Sequence, residues 1–135
     1  MTSTRLPGKV LLGVMGRSML SYQLERVSRV EAIDRIVIAT TTNAADGPGA
    51  SFAKTGGFGL YRGSENDVLG RFQETAEAHV ADTVVRLTAD CPLADPEVID
   101  LLIRRYREAV PTCDYATNGI PRGWMLKYLA GQSWR

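Results

Sequence analysis

Cysteine and histidine are scarce in this chain, and their scarcity removes whole classes of chemistry. Cys91 and Cys113 stand far apart with no Cys-x-x-Cys pair, and His79 is the single histidine. Neither a zinc site nor a disulfide framework is indicated, and the expected compartment is reducing and cytoplasmic. No charge of one sign dominates: 16 Lys and Arg stand against 15 Asp and Glu, a formal net charge of +1. No nucleic-acid partner and no membrane surface is expected, because bulk affinity for either needs a strong basic excess. Long apolar runs are missing too; none approaches the roughly 20 residues of a membrane-spanning helix. Thr2 to Pro7 lack the apolar core of a signal peptide. What is present is ordinary for a globular domain: 135 residues, 44% hydrophobic and 23% charged. That length makes one domain at most, able to bury about two-thirds of its unfolded surface.

Periodicity then organises the chain. Lys9 to Leu12 reads as a short extended piece, broken near Gly13 and Gly16. Ser18 can cap a helix running to about Arg29, with Leu20, Leu24 and Val27 on one face. Arg35 to Thr40 is a nearly continuous β-branched run, the pattern of a strand covered on both faces. Glycines crowd Asp46 to Gly59, the least regular part of the chain, and count against a long helix there. Gly57, Gly59 and Gly63 resemble a dinucleotide fingerprint superficially, but the third lies one residue too far on and no good strand precedes them. Leu60 to Arg62 reads as a short strand. Ser64 or Asn66 can cap a helix to about Val80, with Val68, Phe72, Ala76 and Val80 at fourfold spacing. Asp82 to Thr88 reads as another strand. Asp95 caps and Pro96 opens a helix to about Ala109, with Val98, Leu101, Leu102 and Tyr106 apolar. Asp114 to Asn118 closes the series as a short strand. Alternating strands and helices predict a parallel α/β sheet. His79, mid-helix, reads as a surface residue.

Two stretches could carry chemistry. Ser3 to Lys9 (Ser-Thr-Arg-Leu-Pro-Gly-Lys) sets Arg5 and Lys9 four positions apart around a Pro-Gly turn. Pro7 fixes its own φ and Gly8 tolerates a left-handed backbone. The loop can offer N–H groups and two cations to one polyanion, Arg5 bidentately and Lys9 as a point charge. Its composition also admits a solvated basic turn, and it lacks the spacing of a Walker loop. Asp90 follows the strand ending at Thr88, at the ligand edge of such a sheet. It could hold a hard cation, or only cap a turn.

Four blocks resemble those of the cytidylyltransferases that make CMP-activated sugars, and among them the spore coat polysaccharide biosynthesis protein F branch. They are Thr2 to Leu12 (T-S-T-R-L-P-G-K-V-L-L), Ala39 to Asn43 (A-T-T-T-N), Arg62 to Leu69 with Arg71, and Arg86 to Pro96 (R-L-T-A-D-C-P-L-A-D-P). The resemblance implies a Rossmann-like nucleotidyltransferase fold, a three-layer α/β sandwich with a mostly parallel sheet, and a helix in the middle of Asp46 to Gly59 that the crowding glycines shorten to Ala50 to Lys54. It implies transfer of CMP from CTP to a sugar or sugar acid for surface polysaccharide, with Mg2+ as cofactor. It places Arg5 and Lys9 in the catalytic role and Asp90 on the metal. Ser3, Arg5, Lys9, Ala39, Thr40, Arg71 and Arg86 fall at nucleotide-binding positions. A full-length relative is expected to form a homodimer.

The sequence departs from the family at both ends. The family's first strand, ending in Gln-Ala-Arg, has no counterpart before Met1. After Arg122 the family continues with a Gly-Leu-Asp-Val-Glu-Val-like strand whose aspartate completes the metal site, whereas this sequence reads Gly123-Trp124-Met125-Leu126-Lys127-Tyr128. Back-translated and read one frame over, those codons permit Leu-Asp-Val-Glu-Val. The expected organisation is therefore a partial cytidylyltransferase domain at 1–122 and a divergent tail at 123–135, out of frame or naturally different. Without the first strand and second aspartate, little stability and little or no activity are expected. Two rivals remain: a sugar-nucleotide-binding glycosyltransferase relative, and a non-catalytic nucleotide-binding remnant.

Overall fold

The computed structural model describes residues 8–110, 112–119 and 132–134. Ser3, Arg5 and the Gly123 to Tyr128 stretch lie outside the described residues. A 3₁₀ turn at Lys9–Leu11 leads to β1 (Gly13–Val14), β2 (Arg17–Ser18) and α1 (Met19–Val27). After β3 (Val37–Thr41) come a second 3₁₀ turn at Ala44–Asp46, α2 (Gly47–Thr55), β4 (Gly59–Gly63) and α3 (Val68–Ala78). The chain continues through β5 (Val84–Arg86), α4 (Pro96–Ala109), β6 (Tyr115–Thr117) and β7 (Gln132–Trp134). It divides into two units, Met1–Lys9 with Asp34–Asp82, and Val10–Ile33 with Thr83–Arg135.

In the first unit β3 and β4 run parallel, in register from Val37↔Gly59 to Thr41↔Gly63. Strands paired in parallel need a crossover, and α2 supplies it. This helix is longer than the expected Ala50 to Lys54: it starts at Gly47, with Pro48 in its first turn. Packing overrides the weak propensity of its glycines, since Gly49, Ala50 and Ala53 are buried. The α3 helix is capped by Asp67, whose carboxylate accepts from the Gly70 amide at 2.8 Å. Ser64 instead accepts from the Asp67 amide at 3.1 Å. The fourfold stripe is not buried along its length, because Val68 and Val80 are exposed and Thr75 is the buried residue of the helix.

In the second unit the expected extended piece after Lys9 is instead the 3₁₀ turn, which buries Val10. A two-residue hairpin follows, with Val14 opposite Arg17. Met15 at φ 49° and Gly16 at φ 83° give the left-handed pair that a type I′ turn requires. Ser18 caps α1, accepting from the Ser21 amide at 3.1 Å. Leu20, Leu24 and Val27 point inward as their spacing predicts, each burial stabilising by about 1.5–3 kcal/mol. The α4 helix has the expected bounds, with Asp95 accepting from the Glu97 amide at 2.9 Å. Its buried face is Ile99, Leu102, Ile103 and Tyr106, while Leu101 is exposed. The strand expected over Asp82 to Thr88 pairs only at Val84–Arg86. Both β5 and β6 run antiparallel to β7, which lies between them. Among the described residues no helix is long and apolar enough to cross a membrane.

Candidate functional site

Ligands of α/β sheets bind outside the carboxyl ends of the strands, where helix N-termini and loops converge. The first unit presents one such end. As β3 leaves its apolar run it reaches Thr40 and Thr41, both buried, and the chain turns back through Ala44–Asp46. Asp46 is 1% exposed. Its Oδ2 accepts from the Thr40 hydroxyl at 2.9 Å, the Thr41 amide at 3.1 Å and the Thr41 hydroxyl at 2.7 Å. Burial alone would push this carboxyl up. Hydrogen bonds outweigh it, among them those from the Thr41 and Thr40 hydroxyls and the Thr41 amide, and hold the group well below the usual carboxylate range.

Arg62 grips the same exit from β4. Its Nε donates to the Thr41 carbonyl and its Nη2 to the Asn43 carbonyl, each at 2.8 Å. Thr41 Oγ1 accepts from the Asn43 amide at 3.2 Å, and the Thr42 amide donates to the Gly63 carbonyl at 3.1 Å. The Asn43 side chain donates to Glu65. Beside it, Arg71 reaches from α3 to donate to the Ser64 carbonyl. The Arg71 Nε is buried, with no hydrogen-bond partner among the described residues. This approach requires Gly63: a Cβ there would stand 3.0 Å from Arg71 Cγ and 3.1 Å from Tyr61 Cε1. Tyr61 donates to Glu74 at 3.0 Å, and that bond raises the phenol above its ordinary value.

Of the residues singled out from the sequence, this unit holds Lys9, Ala39, Thr40 and Arg71. Lys9 opens the first 3₁₀ turn directly after Gly8, which takes φ 69°. Ala39 is half-buried in β3, and the Thr40 hydroxyl is engaged by Asp46.

The second unit holds Arg86 and Asp90. Arg86 ends β5 and is half-buried; Asp90 is exposed in the turn that follows. Two residues of α1 hold this loop. Gln23 Nε2 donates to the Thr88 carbonyl at 2.8 Å, and Arg26 Nε to the Ala94 carbonyl at 2.7 Å. Within the loop the Thr88 hydroxyl and Cys91 thiol are 3.2 Å apart, and the Ala94 amide donates to the Cys91 carbonyl. Among the described residues no group of three His, Cys, Asp or Glu could enclose a metal ion. Asp90 can supply one carboxylate, which suits Mg2+ when substrate phosphates and water complete its shell.

Sequence reasoning gave no site role to Asp46, Gln23 or Arg26, nor to Arg62, although Arg62 opens one of the matched blocks. Asp46 sits in an Ala-Ala-Asp-Gly-Pro stretch that reads as a turn; the threonine triplet five positions earlier was the available signal. Gln23 and Arg26 lie three apart on one helix face, which was a weaker hint.

Comparison with known proteins gives these units a family. The cytidylyltransferase family model matches residues 1–123. The chain is 35% identical to the spore coat polysaccharide biosynthesis protein SpsF of Bacillus subtilis over 87% of its own length and 51% of that protein. It is 33% identical to the 3-deoxy-manno-octulosonate cytidylyltransferase of Pelobacter propionicus over 76% of its length and 39% of that enzyme. A solved cytidylyltransferase from Leptospira borgpetersenii superposes with a TM-score of 0.91 at 31% identity, covering 99% of this chain and 56% of that one. The chain thus spans about half the length, or less, of these relatives. The fold is the Rossmann-like nucleotidyltransferase α/β fold. This chain belongs to the cytidylyltransferase family.

Proposed function

We propose that this chain is the nucleotide-binding part of a sugar cytidylyltransferase, which transfers CMP from CTP to a sugar or sugar acid. The family match over residues 1–123 carries the reading. Relatives named for spore coat polysaccharide biosynthesis and for 3-deoxy-manno-octulosonate support a surface-polysaccharide precursor as acceptor. In the reaction a sugar hydroxyl attacks the α-phosphate in line, the bond to the β-phosphate oxygen breaks, and pyrophosphate leaves. Catalysis of this kind is mostly positioning and electrostatics. Arg5 and Lys9 stabilise charge on the phosphates. Arg71 and Arg86 add cations at the ends of their elements, and the β3 exit around Ala39 and Thr40 receives the base. Asp90 would hold Mg2+, which when bound would neutralise phosphate charge. The residues that grip the acceptor lie mostly beyond Arg122 in the longer relatives, and any homodimer is that of a full-length relative. The compartment that supplies CTP is the cytoplasm.

Calorimetric titration of the full chain tests the reading. CTP with Mg2+ is expected to bind more tightly than UTP, ATP or a nucleoside-diphosphate sugar. Tighter binding of the nucleoside-diphosphate sugar would assign the chain to a glycosyltransferase-like role instead. Pyrophosphate release in the presence of 3-deoxy-manno-octulosonate then measures how much catalysis this length supports.

A further inference from the structure

The buried residues of the first unit are unusual in kind. Among those described, the hydrophobic ones are Ala50 and Ala53, while Thr40, Thr41, Asp46 and Thr75 are polar. An ionised carboxylate is costly to bury unless it is fully hydrogen-bonded. Here one oxygen of Asp46 takes three hydrogen bonds from two consecutive residues at the end of β3. From the other side Arg62 takes the carbonyls of Thr41 and Asn43. The Asp46 amide closes the turn on the Asn43 carbonyl at 3.0 Å. Counting backbone groups along the exit, the Thr41 amide and carbonyl, the Thr42 amide, and the Asn43 amide and carbonyl are all engaged. Thr42 is left exposed at the crest.

Strand stability does not need such a device, because the β3–β4 ladder already ends at Thr41↔Gly63. The network extends order two residues past the ladder, at the sheet edge where ligands bind. Asp46 itself is too deeply buried to meet a ligand. We propose that Asp46 is a positioning residue for the nucleotide: with Arg62 it locks the Thr40–Asn43 exit in the conformation that reads the base of CTP. This rests on the function proposed above. Its logic is pre-organisation: a readout segment held rigid before binding loses little entropy on binding.

The test separates base from phosphate. Wild type, Asp46→Asn and Thr41→Val are titrated as full chains with CTP and with inorganic tripolyphosphate, and the fold of each variant is checked by circular dichroism. Both variants are expected to lose about tenfold in CTP affinity and less than about twofold in tripolyphosphate affinity. Equal losses for both ligands, or unchanged CTP affinity, would overturn the proposal, since a merely structural role does not discriminate base from phosphate. If Asp46→Asn does not fold, Thr41→Val, which removes one hydroxyl and no charge, decides. A wild-type chain that binds CTP no better than tripolyphosphate overturns the functional reading itself, and is recognised without any variant.

Discussion

Gln23 in α1 donates its side-chain amide to the backbone carbonyl of Thr88, 65 residues away in sequence and 2.8 Å in space. One helical turn on, Arg26 takes the carbonyl of Ala94 at 2.7 Å. The two bonds hold both ends of the loop that carries Asp90. Such loops are otherwise the mobile part of an α/β sheet.

Replacing Gln23 with Ala removes a buried donor, leaves the Thr88 carbonyl unmatched and opens a small cavity. The expected cost is about 2 kcal/mol of stability. The orphaned Gln23 Oε1 disappears in the same change and offsets part of it. Urea denaturation checks the figure. A loss under about 0.5 kcal/mol would mean that water satisfies the carbonyl equally well.

Gly63→Ala tests the close approach at the end of β4. The new Cβ would meet Arg71 Cγ at 3.0 Å, Tyr61 Cε1 at 3.1 Å and Glu74 Oε2 at 3.2 Å. Three side chains must shift together, so a destabilisation of about 1–3 kcal/mol is expected. The midpoint of thermal unfolding measures it. An unchanged midpoint would show that the Arg71 and Glu74 side chains swing aside freely.

These sites also show what the sequence made legible. The α1 and α4 starts were readable because their signals are local: Ser18 and Asp95 are good caps, and Pro96 suits a first turn. The β3 strand was readable from its β-branched run, and β4 as the short Leu60 to Arg62 segment that follows the glycines. The α2 helix was read too short because propensity counts Gly47 and Gly49 against it, while packing of Ala50 and Ala53 decides the matter. Val68 and Val80 fit a fourfold stripe yet are exposed, since periodicity does not say where a helix leaves its neighbours. The site divides in the same way. Lys9 and Asp90 stood out by their loop and strand-end chemistry, while Arg71 and Arg86 came from strings matched to a family. Asp46 and Arg62 act through hydrogen bonds to a backbone that only the folded chain brings to them.

Asp46 makes a pH prediction with a definite sign. Its folded carboxyl lies below the ordinary value of 3.8, and the unfolded chain does not share that shift. A depressed folded value contributes stability that is present above the unfolded value and lost as pH falls toward the folded one. Between about pH 6 and about pH 3 the wild type should therefore lose more stability than Asp46→Asn. Urea midpoints at the two pH values measure the difference. Parallel losses in the two proteins would show that other carboxylates govern the acid limb.

Asp90 is where the metal reading can be separated from the turn reading. It is exposed in the turn after β5, and no group of three metal-ligating side chains stands among the described residues. A lone carboxylate gains its grip on Mg2+ only when phosphates share the ion. Asp90→Asn should therefore raise the Mg2+ concentration that half-saturates CTP binding by about tenfold. With EDTA present, wild type and variant should bind CTP alike, because the ion through which Asp90 acts is gone. If instead the variant weakens CTP binding equally with and without Mg2+, Asp90 serves the shape of its turn.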